Sequence, residues 1–322
     1  MKKEDYIRSL NESIENKTTE TLIAVNNSTY SKQYVVDVLQ KECETLQRVF
    51  DIPIDEGKFE EAISGKERNR IMTTHSSALL ALLCFHSVSE KKPLTIDGVE
   101  YTEAHFEVKN NVIDKSGRPS HVDVLLISKD KTILLFLESK FTEYAKRSSC
   151  YAVSKKYEAF YKNLHLEWEE PSFAFEISDY STDTGKKEYG FHMRNGKRTT
   201  QYLEGIKQAF CHLIGICTKP VREKGNFDGY STLLENAKQI KFTTIVHNWN
   251  DENNEFCNNY QRLYEQVFCK NNQYSIKECL QSCTQCTKIL IEKLDIQSKL
   301  ITYQDIFRKF ELPKKVKAIY LE

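Results

Sequence analysis

The sequence predicts an α/β fold in which a mixed central sheet is covered by helices on both faces, and three observations carry that expectation. Residues 94–140 break into short β-rich runs separated by "DG", "DKSG" and "SKDK", the pattern of a strand meander. Apolar helical patterns flank the meander at about 75–88 and 199–217. A further apolar strand, "IKFTTIVHNW" at 240–249, follows the second helix. Helix, three strands, helix and strand in that order form a layered α/β sheet.

Taken along the chain, residues 31–50 place Val35, Val38, Leu39, Leu46, Val49 and Phe50 on one helical face, with Ser31 as N-cap. Ala and Leu dominate every side of 75–88, which predicts a buried helix. After the meander a helix is expected at 150–164, then an irregular hairpin insertion at 171–198, where the chain is polar and turn-rich. In "TTQYLEGIKQAFCHLIGIC" (199–217), Tyr202, Ile206, Ala209, Phe210, Leu213 and Cys217 face the core, while Gln201, Glu204, Gln208 and His212 form a polar stripe opposite. The remainder reads as mostly helical. The expected organisation is an N-terminal helical segment (1–70), a core (71–250) and a C-terminal helical extension packed on it (251–322).

The 322 residues carry 46 basic and 46 acidic side chains, so a wholly basic nucleic-acid coat is excluded and a local basic patch is not. "MKKEDYIRSLNESIENK" has no apolar run behind its charges, unlike a secretory signal. The longest strongly apolar stretch, "ALLALLCF" at 78–85, is far short of the ~20 residues a membrane span needs. The expectation is a cytoplasmic protein with no membrane partner, its ten cysteines reduced. The C-x-x-C within "CLQSCTQC" (279–286) raises zinc, but Cys279, Cys283, Cys286 and Leu290 recur at helical spacing, which favours a stripe of core thiols.

"HVDVLLISKDKTILLFLESKF" (121–141) carries the chemistry. It is two apolar strands holding Asp123, Glu138 and Lys140, and burying even neutral polar groups costs roughly 2–7 kcal/mol. Strand alternation puts Glu138 and Lys140 on one face with Leu134 and Phe136, and turns Ser139 away. A four-residue turn, Lys129 to Thr132, sets Ser128 opposite Ile133 and hence Asp123 opposite Glu138. Facing carboxylates destabilise a sheet unless a cation lies between them, and Mg²⁺ takes one or two carboxylates plus waters and phosphate oxygens. A lysine beside such a site orients or deprotonates water, or neutralises charge on a phosphate. Glu107 joins the same face if the preceding hairpin turns near Lys115, and Glu67 is the alternative acid.

"PSHVD" (119–123) and "ESK" (138–140) resemble the motif of the PD-(D/E)XK nuclease superfamily, although the proline stands four residues before the aspartate. "HSSALLALLCF", "FE" (106–107), "HVDVLL", "LESKFTEY", "YLEGIKQAFCHLIGI" and "ITYQDIF" resemble a group of bacterial proteins assigned as restriction endonucleases in that superfamily. The resemblance implies a restriction-endonuclease-like αβββαβ core and a metal-dependent endonuclease, with phage defence as its setting. It implies that Asp123, Glu138 and the Ser139 carbonyl hold Mg²⁺, with Mn²⁺ as substitute, that Lys140 is catalytic, and that Gln208 reaches back to the site beside Glu107. Nucleic acid, DNA before RNA, is the expected partner, with Arg194, Lys197 and Arg198 gripping phosphates. Cutting both strands with one site per chain suggests a homodimer. A nuclease-like scaffold that binds without cutting is the alternative.

Overall fold

The computed structural model describes residues 2–17, 43–44, 46–48, 50–63, 71, 75–110, 119–146, 150–182, 184–193, 202–218, 226–249, 254–283, 285–308 and 310–321. Helix α1 spans Lys3–Lys17, residues 43–44, 46–48 and 50 are helical, and α2 spans Glu56–Ala62. Most of the helix expected at 31–50, including Ser31, Val35, Val38 and Leu39, lies outside the described residues, as does Glu67. Helix α3, Ser77–Phe85, starts where Ser76 accepts a hydrogen bond from Leu79 N at 3.2 Å. Eight of its nine residues are buried, as an all-apolar helix requires.

The meander follows as β1 (Leu94–Ile96), β2 (Val99–Asn110), β3 (Ser120–Ser128) and β4 (Ile133–Lys140), antiparallel throughout. The expected helix at 150–164 is instead strand β5 (Cys150–Ala152) followed by a short helix α4 (Glu158–Lys162). Its first residues pair with the hairpin insertion, β6 (Phe175–Ser181) and β7 (Lys187–Met193), giving a separate three-stranded sheet in the order β5-β7-β6. That long-range pairing, with Tyr151 opposite Phe191, overrides the local helical pattern.

Helix α5 (Leu203–Cys217) and α6 (Tyr230–Asn236) lead into β8 (Gln239–Val246), which runs parallel to β4 from Ile133↔Gln239 to Lys140↔Val246. The C-terminal residues form α7 (Glu255–Val267), α8 (Lys270–Ser282), α9 (Lys288–Lys293), β9 (Leu294–Ile296), β10 (Ile301–Thr302), α10 (Tyr303–Phe307) and α11 (Lys314–Tyr320). Strands β9 and β10 both join β8 in parallel, so this segment extends the sheet as well as covering it. The seven-stranded mixed sheet runs β1-β2-β3-β4-β8-β10, with β9 beside β8.

Two apolar cores lie on its two faces. Leu134 and Phe136 enter one with Ile206, Leu213 and Tyr264 from the helices over it, while Leu135 and Leu137 enter the other with α3, Phe307 and Val316. Strand β4 is therefore covered on both sides, which is why its apolar run is continuous.

Candidate active site

The β3–β4 hairpin sets the register of the site. Rungs run from Ile127↔Leu134 to Val124↔Leu137, the register expected from the four-residue turn, and one step beyond them Asp123 faces Glu138. Past the last rung, Ser139 N donates to Asp123 Oδ2 at 2.6 Å. Ser139 points its hydroxyl to the opposite face, where it meets Ser77 O at 3.1 Å and Tyr303 Oη at 2.7 Å.

Strand β2 contributes Glu107 in a way that alternation does not describe. Its pairing with β3 runs through Phe106↔Val124 and Val108↔Val122, centred on position 115 as expected, but skips Glu107 and Asp123. Glu107 has φ 46°, a left-handed conformation that costs a non-glycine residue of order 1–3 kcal/mol. Phe106 and Val124 belong to one core whereas Val108 and Val122 belong to the other, so both strands change faces across the Glu107/Asp123 pair. Such local departures from the ladder re-aim side chains beside functional sites. Glu107 is buried, and its Oε2 lies 3.2 Å from His121 Nδ1.

Helix α5 closes the cleft from above. Gly205 makes its approach possible, because a Cβ there would lie 2.5 Å from Tyr260 Oη on α7. Glu204, Gln208 and His212 of its polar stripe line one cleft of about 1320 Å³ together with Glu107, His121, Asp123, Glu138 and Lys140. The structure thus brings together five of the sequence-derived site residues. Gln201, Arg194, Lys197 and Arg198 lie outside the described residues.

The cleft floor is buried and crowded with charge. Lys140 Nζ donates to Glu138 Oε1 at 2.5 Å, with both side chains almost fully enclosed. Burial alone would raise the Glu138 carboxyl, but Lys140 and then His212 pull it down to about 2. Burial alone would lower the Lys140 ammonium, yet Glu138, with Asp123 among the smaller contributors, holds it well above the lysine range. Asp123 has no comparable support. Burial and the adjacent Glu138 push its carboxyl far above the usual range, against the opposing pull of Lys140 and the Ser139 N–H.

His212 is the residue that sequence reasoning left out of the site. Its Nε2 lies 2.8 Å from Glu138 Oε2, near enough for an ion pair but not aligned as a hydrogen bond, since neither atom finds a hydrogen-bonding partner. The signal was present in the stripe on α5, one turn beyond Gln208.

Among the described residues no three His, Cys, Asp or Glu side chains group closely enough to hold a metal ion by themselves. Two carboxylates with a backbone carbonyl is the donor set that Mg²⁺ accepts, because it keeps several waters. Among the described residues Gln208 Oε1, buried and facing this cleft, makes no hydrogen bond, and Glu138 Oε2 has only the His212 contact. An oxygen without a hydrogen bond beside a carboxyl forced upward by its neighbour forms a site that gains from a cation.

The cysteine stripe does not form one helical face. Helix α8 ends at Ser282, Cys283 caps it, and Cys286 lies in the turn before α9. None of the ten cysteines is in a disulfide. No helix among the described residues is long and apolar enough to cross a membrane. Compared with models of known protein families, with curated proteins and with solved structures, the chain matches none.

Proposed function

We propose that this protein is a metal-dependent nuclease with a restriction-endonuclease-like core, hydrolysing phosphodiester bonds, DNA before RNA. The observation that carries the reading is the meeting of Asp123 and Glu138 on the floor of one cleft, with Lys140 on Glu138 and Glu107, in a left-handed backbone, lining the same cleft. The order α3, β2–β4, α5, β8 agrees with the αβββαβ core that the resemblance implies.

Asp123, Glu138 and the Ser139 carbonyl would hold Mg²⁺ or Mn²⁺. When bound, that ion lowers the pKa of a water and neutralises charge on the phosphate. The chain's own residues supply the rest. Lys140 stays an ammonium beside Glu138, which suits it to orient water and offset phosphate charge more than to remove a proton. Gln208 brings an unpaired oxygen to the same floor, and His121 holds Glu107. Lys3 and Lys207 line the cleft with no carboxylate ion pair among the described residues, and stand as phosphate contacts in addition to the three basic residues expected from the sequence.

A nuclease-like scaffold that binds without cutting is the second reading. The short Lys140–Glu138 ion pair favours it, since it occupies a carboxylate oxygen that a metal would otherwise share. One experiment separates them. Plasmid, linear and single-stranded DNA and RNA are incubated with the protein in Mg²⁺, Mn²⁺ or EDTA, beside Lys140→Ala. Cleavage that needs the metal and the lysine is expected; metal-independent cleavage, or cleavage indifferent to the substitution, overturns the nuclease reading. Tight binding with no cleavage of any substrate supports the second.

A further inference from the structure

Away from the cleft floor, four cysteines gather where the end of α5 meets the turn between α8 and α9. Cys217 closes α5, Cys279 lies in α8, Cys283 caps α8, and Cys286 follows in the turn. Two of them are drawn together by the backbone. Cys286 N donates to Cys283 O at 3.0 Å, a turn that holds the two Cα atoms within ~7 Å, overlapping the ~4.4–6.8 Å that a disulfide spans. The Cys283 and Cys286 side chains are near enough to interact, while Cys283 Sγ donates to Cys279 O at 3.4 Å.

The same turn grips α5. Cys286 pairs with Thr218 in an isolated bridge, its Sγ lies 3.8 Å from Thr218 Oγ1 and 3.8 Å from Ile214 O, and Thr287 N donates to Cys217 O at 2.9 Å. The four thiols are not a metal site, since no three of them group as ligands among the described residues.

We propose that Cys283 and Cys286 form a reversible dithiol–disulfide pair, oxidised by hydroperoxides, which loosens the turn's hold on the C-terminal end of α5. Cys283 is the attacking sulfur. Contact with the Cys286 thiol lowers it from the usual thiol range, whereas burial pushes Cys217 up to about 12 and Cys279 up to about 11. Cys283 is almost fully enclosed and Cys286 is partly exposed, so the oxidant has to be small; hydrogen peroxide meets that condition.

The steps balance. The Cys283 thiolate attacks one peroxide oxygen, the S–O bond forms, the O–O bond breaks, and the departing hydroxide takes the thiol proton as water. Cys286 then attacks the Cys283 sulfur, the S–S bond forms, the S–O bond breaks, and a second water leaves with the Cys286 proton. Two thiols lose two electrons, one peroxide gains them, and a dithiol reductant reverses the change. A sulfur committed to Cys283 no longer serves Thr218 or Ile214, so the last turn of α5 loses a contact. Only the consequence for Gln208 and His212, carried on the same helix, rests on the nuclease reading.

The test uses the full chain in EDTA, treated with hydrogen peroxide, alkylated with N-ethylmaleimide and digested without reduction for mass spectrometry. The peptide holding both cysteines is expected to lose two hydrogens, to escape alkylation, and to regain it after dithiothreitol. In C286S, dimedone is expected to trap a sulfenic acid on Cys283, and circular dichroism checks the fold. Oxidation is expected to speed amide exchange over residues 213–218. Full alkylation of both thiols after peroxide, a Cys283 disulfide to Cys217 or Cys279, or stoichiometric zinc in the purified chain that C283S loses overturns the proposal. None of these readouts depends on cleavage.

Discussion

Asp123 lies within β3 and Asp130 in the turn just beyond its end, and their surroundings are opposite. Asp130 sits in the exposed β3–β4 turn, where Ser128 Oγ at 2.7 Å, Thr132 N at 3.1 Å and Thr132 Oγ1 at 2.7 Å all donate to it. Those donors bring its carboxyl down to about 2. Asp123 is buried, receives one backbone donor, faces Glu138, and is driven far upward. One carboxylate is satisfied by its own turn and fixes the hairpin. The other is left in deficit by the fold, which is the condition of a group kept for a ligand.

The largest effect expected from disturbing this contrast is at Lys140. Lys140→Met leaves Glu138 buried without its ammonium, and should cost about 3–5 kcal/mol in urea unfolding. Where the protein still folds, cleavage should fall roughly 10²–10³-fold. Adding Glu138→Gln should recover much of the stability and none of the activity.

Mg²⁺ comes next. At about 100 times its dissociation constant, a ligand bound by the folded state alone adds ~2.7 kcal/mol, so the thermal midpoint should rise with Mg²⁺ and return on chelation. Asp123→Asn should abolish that rise, and Asp130→Asn should leave it intact.

Without metal, Asp123→Asn should itself raise the midpoint, by roughly 1–2 °C if the relief is about 1 kcal/mol. It removes a carboxyl that folding destabilises. Its effect has a pH signature measured in EDTA. A raised folded pKa means the native state holds a proton that the unfolded chain releases, so this penalty is largest at neutral pH and disappears as pH falls. Asp130, with a lowered folded pKa, gives stability present above the ordinary aspartate range and lost as pH falls toward about 2. The stability profile of Asp123→Asn should flatten on the neutral side and that of Asp130→Asn on the acid side.

The smallest effect should come from Asp130→Asn at neutral pH: a lower midpoint with unchanged cleavage, read by calorimetry beside the plasmid assay. Unchanged stability there, together with lost cleavage, would reverse the roles assigned to the two aspartates.

How much of this was legible differs from strand to strand. In β4 the alternation of Leu134, Phe136, Glu138 and Lys140 against Leu135, Leu137 and Ser139 could be read directly, because period-two patterning and a short turn fix register locally. At Glu107 matching parity gave the right neighbour, but the left-handed backbone and the change of faces across Asp123 were invisible. Residues 150–152 were misread as helix because their pairing partners lie some 40 residues away in β7. The thiol stripe was misread because spacing of three and four residues fits a helix and equally fits a helix end followed by a turn.

By itself the sequence determined the layered α/β order, the β3–β4 hairpin and which acids share its face, since these follow from periodicity and turn length over a few residues. Only the tertiary structure decided that Glu107 and α5 converge on that hairpin, that His212 stands beside Glu138, and that Asp123 is unsatisfied while Asp130 is not. Burial and the distance between charges depend on packing between segments far apart in the chain, and those are the quantities that set a carboxyl's protonation.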